Sequence, residues 1–440
     1  MTDYQTQSYI SRIKDRKFYF GVKEKRNALE YYATLIVCCM LFGLNIYMDY
    51  VLTAVFCLAF LFAFKHNYFI FTYVALIFFE SKLAIPDFSA SILRIVTLFY
   101  IFRMISNSNV VIETQQWRYT LGLTAIYVLL NILDILNIVS FLSLITNVLN
   151  ILVMAFEYYN YNEEEKQEAK QLFLLVIACF AMMSGMYGFY NGKTLPYGGF
   201  KRYCGTIDDP NYSALMYCFG FASLYGVERI KPIWKIILFL GLTIDILFTV
   251  SMSGIATVFV ITIIWLMIKM PLRALCLLFF GAIFGVIFLK LPFKEGDIFY
   301  GLQSRVINIL AQISSGDFSS VTSGRTDIAM AYMQEFNSFS LKNKLFGGFD
   351  TVSGEYRDYM VGKVGSVAHN SYIDILFKHG IFGLVLLIGG MLLRTLKIIS
   401  DYFKKREDNL AFALQKIVLM IFAFTLSIYP YRYFIFFMLI

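Results

Sequence analysis

The chain has 440 residues, of which 59% are apolar and 15% charged, and its net charge is +8. Soluble domains carry about 25% charged residues, and a soluble fold of this size needs far more polar surface to cover its core. An ordinary soluble enzyme, a disordered chain, a collagen and a disulfide scaffold are therefore excluded. Long apolar runs separated by short polar breaks point to an all-α, polytopic membrane protein rather than a barrel.

Residues 1–30 are polar and basic, and no cleavage site follows in the first apolar run. They are expected as a cytoplasmic N-terminal segment, not a signal peptide. A bilayer core needs roughly 20 apolar residues per helix. Spans are expected near 31–48, 50–64, 67–80, 88–104, 119–136, 139–156, 171–190, 211–227, 233–250, 254–269, 273–291, 379–396 and 410–428. The apolar piece 433–440 is too short to cross, so the count is about 13, between 12 and 14. One set of connections holds 22 Lys and Arg residues and the other 14. By the positive-inside rule the N-terminus is cytoplasmic and connections 81–87, 191–210 and 292–378 face outward. The expected organisation is a bundle over 31–291 carrying loop 191–210, a large outward loop 292–378, and C-terminal spans over 379–440.

The seven cysteines, at 38, 39, 57, 179, 204, 218 and 276, form no CxxC or paired framework. They read as small apolar filler, with Cys204 alone outside an apolar run. The 87-residue loop 292–378 carries apolar residues at helical spacing in 298–313 (Ile298, Leu302, Val306, Ile309, Leu310, Ile313) and in 328–339 (Ile328, Tyr332, Phe336, Phe339). It is expected to fold as short amphipathic helices on the membrane face.

Three outward segments combine polar groups. In Lys201-Arg202-Tyr203-Cys204-Gly205-Thr206-Ile207-Asp208-Asp209-Pro210-Asn211, Asp209 reads as an N-cap with Pro210 at the first helical position. Basic side chains, a glycine and free helix N–H groups there suit an anion, or the bases anchor the loop to headgroups. In Thr322-Ser323-Gly324-Arg325-Thr326-Asp327, Ser323 can cap a helix, leaving Arg325 in a first turn that disfavours cations. An anion makes sense of that placement; a surface pair with Asp327 is the structural alternative. In Ala368-His369-Asn370-Ser371-Tyr372-Ile373-Asp374, Ser371 and Asp374 have capping-box spacing and His369 stands just ahead of the helix. His369 is either structural or a general base. The other histidines, His66 and His379, lie elsewhere, and no metal site is expected. Among ionisable residues inside spans, Arg94 lies toward the outer side, Asp134 near an outer end, and Asp245 more centrally, with Thr243 or a neighbouring helix as its expected partner.

In this order, these elements resemble the O-antigen polymerase/O-antigen ligase family of bacterial membrane glycosyltransferases (Wzy-type). Arg202-x-x-Gly205 with Asp209-Pro210-Asn211 resembles the family's R-x-x-G…PN element. Ser323-Gly324-Arg325 resembles its S-G-R element, and Leu345-Phe346-Gly347-Gly348 its "PLxGxG" turn without the proline. His369-Asn370-Ser371-Tyr372-Ile373 with Gly380-Ile381-Phe382-Gly383 resembles its H-N-x-Y-L…G-I-x-G element. Met252 stands where relatives often carry a basic residue, and a tryptophan common after S-G-R is missing.

The resemblance implies a GT-C-like fold in the bacterial cytoplasmic membrane and a glycan donor linked through pyrophosphate to undecaprenol. It implies pyrophosphate binding by Arg202 and Arg325, with Lys201 and Arg94 as further cations, and His369 as base for the acceptor hydroxyl. Asn370 and Tyr372 are expected to orient His369 or bind sugar. Transfer is expected to be inverting, without metal or other cofactor. The expected partners are the lipid-linked oligosaccharide, the bilayer, and a flippase and chain-length regulator of the same pathway; nucleic acid is not expected. The reading is a polymerase of repeat units for capsule, exopolysaccharide or O-antigen. A ligase of finished glycans stands beside it within the family, and a transporter of lipid-linked sugars or a membrane scaffold outside it.

Overall fold

The structure is a computed structural model that describes residues 97–98, 101, 114–131, 138–159, 163–197, 200–207, 209–228, 230–294, 297–315, 324–404 and 410–429. The expected segment 1–30, the spans up to 67–80, all of 88–104 but residues 97–98 and 101, Arg94, Asp134, Ser323 and the piece 433–440 lie outside them. The fold is mostly helical, and four helices, Phe173–Tyr190, Met252–Lys269, Pro271–Lys290 and Ser371–Phe403, are long and apolar enough to cross a membrane.

The chain divides into two compact units, residues 1–76 with 83–169, and 77–82 with 170–440. In the first, α1 (Thr114–Leu130) packs on α2 (Ile138–Tyr159). Asn147 Nδ2 donates to the Tyr127 hydroxyl at 3.2 Å, a buried bond that holds the two helices in register.

In the second unit α3 (Glu163–Tyr190, entering from the first) leads into a hairpin of β1 (Thr194–Tyr197) and β2 (Phe200–Tyr203). The hairpin is antiparallel, with Leu195 opposite Arg202 and Tyr197 opposite Phe200. Helices α4 (Pro210–Leu224), α5 (Pro232–Phe248), α6 (Met252–Lys269) and α7 (Pro271–Lys290) follow. The large loop forms α8 (Ile298–Ser315), α9 (Arg325–Ser338), α10 (Leu341–Phe346) and α11 (Gly354–Val364). Last come α12 (Ser371–Leu384), a π-helical turn at Val385–Gly389, α13 (Gly390–Phe403) and α14 (Leu410–Ala423).

The helix α4 is the axis of this unit. Nearly all its side chains are buried, and α5, α6 and α14 pack around it. Small residues permit the close approach: Gly220 of α4 lies on Ala181 and Leu242, and Gly254 of α6 lies on Ala214. The outer helices show the reverse pattern. Ile233, Trp234, Ile237 and Leu240 of α5 are exposed, as are Phe279, Phe280, Ile283 and Phe284 of α7. Such a surface suits a hydrocarbon solvent.

The large loop has its own core of Tyr332, Phe336, Met360, Ala368, Ile373, Leu376 and Phe377, which joins α9 and α11 to α12. Beside it, Leu345-Phe346-Gly347-Gly348 docks on the start of the C-terminal helices. Gly348 N–H donates to Lys378 C=O and Phe349 N–H to Phe377 C=O, both at 3.1 Å. Gly380 breaks α12 with φ 67° and ψ −171°. A Cβ on Gly347 would strike the Lys378–His379 backbone, and one on Gly380 would strike Leu345–Phe346. These two motif glycines thus form one backbone-to-backbone joint.

Several expectations change. The Ser371–Asp374 capping box is replaced by Asn370 as N-cap, whose side chain accepts from Tyr372 and Ile373 N–H. Gly324, at φ 77°, occupies the N-cap position of α9, and the helix opens at Arg325. Cys204 is buried because its carbonyl rests on Gly188, where no side chain intervenes. Of the two placements expected for Asp245, Thr243 is taken up by Phe239 C=O, and the carboxylate lies against Gly185 of the neighbouring helix α3.

Alanine at Gly347 or Gly380 combines positive φ with a backbone clash, and each is expected to cost at least about 2 kcal/mol. Gly281→Ala, with nothing near the new methyl, is expected to be neutral or stabilising by up to about 1 kcal/mol. Thermal unfolding of the purified proteins in detergent checks the contrast; equal midpoints for all three would refute the joint.

Candidate functional site

The site is built where helix N-termini meet. Asp209 caps α4, as its position before Pro210 predicts: Oδ1 accepts from Asn211 N–H at 2.7 Å and Tyr212 N–H at 3.0 Å. His369 and Asn370 precede α12, and Arg325 is the first residue of α9. Segment 426–429 lashes α4 and α12 together. Tyr212 hydroxyl donates to Ser427 C=O at 3.1 Å. Ser371, fully buried, donates through N–H and Oγ to Leu426 C=O at 3.1 and 2.7 Å. Its Oγ also accepts from Ile428 N–H at 2.7 Å and Tyr429 N–H at 3.2 Å.

His369 is held half-buried with φ 48°, a left-handed backbone that non-glycine residues seldom adopt and that His tolerates better than most. Burial first, and Arg325 second, hold its imidazole below the ordinary value of 6.5, while Asp209 pulls the other way. The ring is therefore uncharged near neutrality, under opposing influences of a cation and a carboxylate, and able to accept a proton. Three motif segments, spread from Asp209 to His369, are thus brought within electrostatic reach of one another.

The other predicted residues have distinct placements. Lys201 is exposed on β2, and Arg202, one residue on and on the opposite face, is only 6% exposed. Arg202 Nε–H donates to Thr249 C=O and Nη2–H to Asn211 Oδ1, both at 2.8 Å. Its guanidinium braces the first turn of α4 against the α5–α6 connection. Asn370 spends its side-chain oxygen on the cap of α12. The Tyr372 hydroxyl donates to Met420 C=O at 2.8 Å, and its ring packs on Phe424. Both thereby hold the segment that carries His369. His379 is buried and paired with the hydroxyl of Tyr429, whose N–H donates to Ser371.

One residue escapes a reading of the sequence. Arg305 of α8 donates from Nη1 to Val250 C=O at 2.6 Å, on the same turn that Arg202 reaches. Nothing in its amphipathic surroundings distinguishes it from a solvated loop arginine. Comparison with protein-family models, curated proteins and solved structures gives no match.

Because His369 is held neutral in the folded chain and an unfolded imidazole titrates near about 6.5, its contribution to stability is full above that value. It declines as pH falls toward the depressed folded value. The chain has three histidines, so ring-labelled protein gives three imidazole signals. The His369 signal is expected to titrate below 6.5, to move up in Arg325→Gln and down in Asp209→Asn. A midpoint indifferent to both variants would dissolve the grouping.

Proposed function

We propose that the chain is a polytopic glycosyltransferase of the bacterial cytoplasmic membrane that polymerises undecaprenyl-pyrophosphate-linked oligosaccharide repeat units into a surface polysaccharide. About 13 spans, a cytoplasmic N-terminus and outward loops 191–210 and 292–378 belong to this reading. The observation that carries it is the meeting of Asp209, Arg325 and His369: the segments that carry the family resemblance are far apart in sequence and close around one neutral imidazole. A role confined to packing gives no reason for that convergence.

In the proposed reaction the acceptor sugar hydroxyl gives its proton to His369 as its oxygen attacks C1 of the donor's reducing-end sugar. The C1–O bond to phosphate breaks with inversion, and the electron pair leaves on undecaprenyl pyrophosphate. Arg325, at the opening of α9, supplies positive charge toward the departing pyrophosphate, helped by helix N–H groups. Lys201, exposed on β2, is a further cation for the same group. Arg202 serves by bracing Asn211 and hence the turn that Asp209 caps. The base must be unprotonated, so turnover is expected to fall on acidification below about 6.5.

The test is the undecaprenyl-linked glycan profile of a deletion strain complemented with wild type, His369→Ala or Arg325→Ala at matched expression. The polymerase reading expects single repeat units to accumulate in the deletion and in both variants. Long chains left on undecaprenol would make the protein a ligase. An unchanged profile would remove glycosyl transfer altogether.

A further inference from the structure

The connection between α5 and α6 is an unusual piece of backbone. Val250 is fully buried and left-handed, with φ 48°. A β-branched residue has an intrinsic cost in that conformation, so its surroundings must hold it there. Two consecutive carbonyls are held by two arginines from different parts of the chain. Thr249 C=O accepts from Arg202 of the hairpin at 2.8 Å, and Val250 C=O accepts from Arg305 of the large loop at 2.6 Å.

The helix α8 grips this turn with one face. Leu302 packs on Val250, with Leu247, Met252 and Phe288 around the pair. Arg305 lies three residues on, one turn along the same face. Gln303 fastens α8 further: its two Nε2 hydrogens are shared among Phe288 and Leu289 C=O of α7, at 3.0 and 3.1 Å, and Leu291 C=O just past its end, at 2.8 Å.

From the turn, the bonds run directly to the proposed site. Ser251 Oγ donates to Asn211 Oδ1 at 3.0 Å, the oxygen that also accepts from Arg202. Asn211 N–H is held by Asp209, and Asp209 acts on His369. We propose that Arg305 is a positioning residue: it holds Val250 in its left-handed form and thereby sets Arg202 and Asn211, and through them the start of α4 that Asp209 caps. Its effect on turnover rests on the function proposed above; its effect on the turn does not.

Glycine adopts positive φ without a side-chain penalty, which supplies the test. Wild type, Arg305→Gln, Val250→Gly and the double variant are purified as full chains in detergent. Hydrogen exchange is followed in peptides covering 198–212 and 246–256, and glycan elongation is measured with a lipid-pyrophosphate-linked oligosaccharide. Arg305→Gln is expected to speed exchange at least tenfold in both segments, neither of which contains residue 305. It is expected to lower kcat at least tenfold while KM stays within twofold. The double variant is expected to recover most of both losses, a rescue that loss of a merely structural contact would not give.

Wild-type exchange over 198–212 in Arg305→Gln, or failure of Val250→Gly to restore it, overturns the proposal. If Arg305→Gln aggregates, folded double variant upholds the proposal and an aggregated one defeats it. If exchange behaves as expected but even wild type elongates nothing, the positioning role stands and the proposed function falls.

Discussion

The end of the α4 unit that carries the site depends on one serine. Ser371 joins the start of α12 to segment 426–429 through its N–H, its hydroxyl proton and its hydroxyl lone pairs. All of this is buried, where an unmet polar group costs about 1–3 kcal/mol. Tyr212 ties the start of α4 to the same segment. The positions of Asp209 and His369 follow from this knot: each lies next to a helix start that the knot fixes. Asp209 and His369 are on loops, yet the helix starts that follow them are tied down.

Strain is concentrated in the same region. Val250 and His369 are the two non-glycine residues with positive φ among the described residues. Both lie at turns that connect to Asp209, one through Arg202 and Asn211 and the other through the pull of the Asp209 charge on the His369 ring. Unfavourable backbone persists only where the surroundings over-determine it. Here they do so with buried carbonyl–guanidinium bonds around Val250 and with a capped helix start after His369. Neither turn relies on the glycine that a tight turn usually takes, whereas the joint between Leu345–Gly348 and Gly380 does.

The long apolar helices are legible in the sequence because length and hydropathy decide them locally. The helix expected near 211 begins at Pro210, since Asp-Pro offers both a cap and a fixed φ. The amphipathic pattern of 298–313 likewise becomes α8, running Ile298–Ser315. Short elements are not legible: α10 has six residues and α11 eleven, too few for a periodic signal. The hairpin, absent from the expected elements, does carry a local signal, Gly198-Gly199 between two β-prone runs. Its alternation also explains why Lys201 is exposed while Arg202, its neighbour in a basic pair, is buried. Arg305 is beyond reach, because its importance comes from a carbonyl 55 positions away in sequence. Motif order indicates which segments matter, but the division between acting and bracing residues needs tertiary contacts.

The most direct measurement is turnover by purified protein in detergent, with a single defined lipid-pyrophosphate oligosaccharide as both donor and acceptor. The account predicts an elongated lipid-linked product and free polyprenyl pyrophosphate in equal amounts from wild type, and neither from folded His369→Ala. Intact donor in the presence of folded wild-type protein, with the same donor crossing the bilayer of reconstituted vesicles, would contradict it.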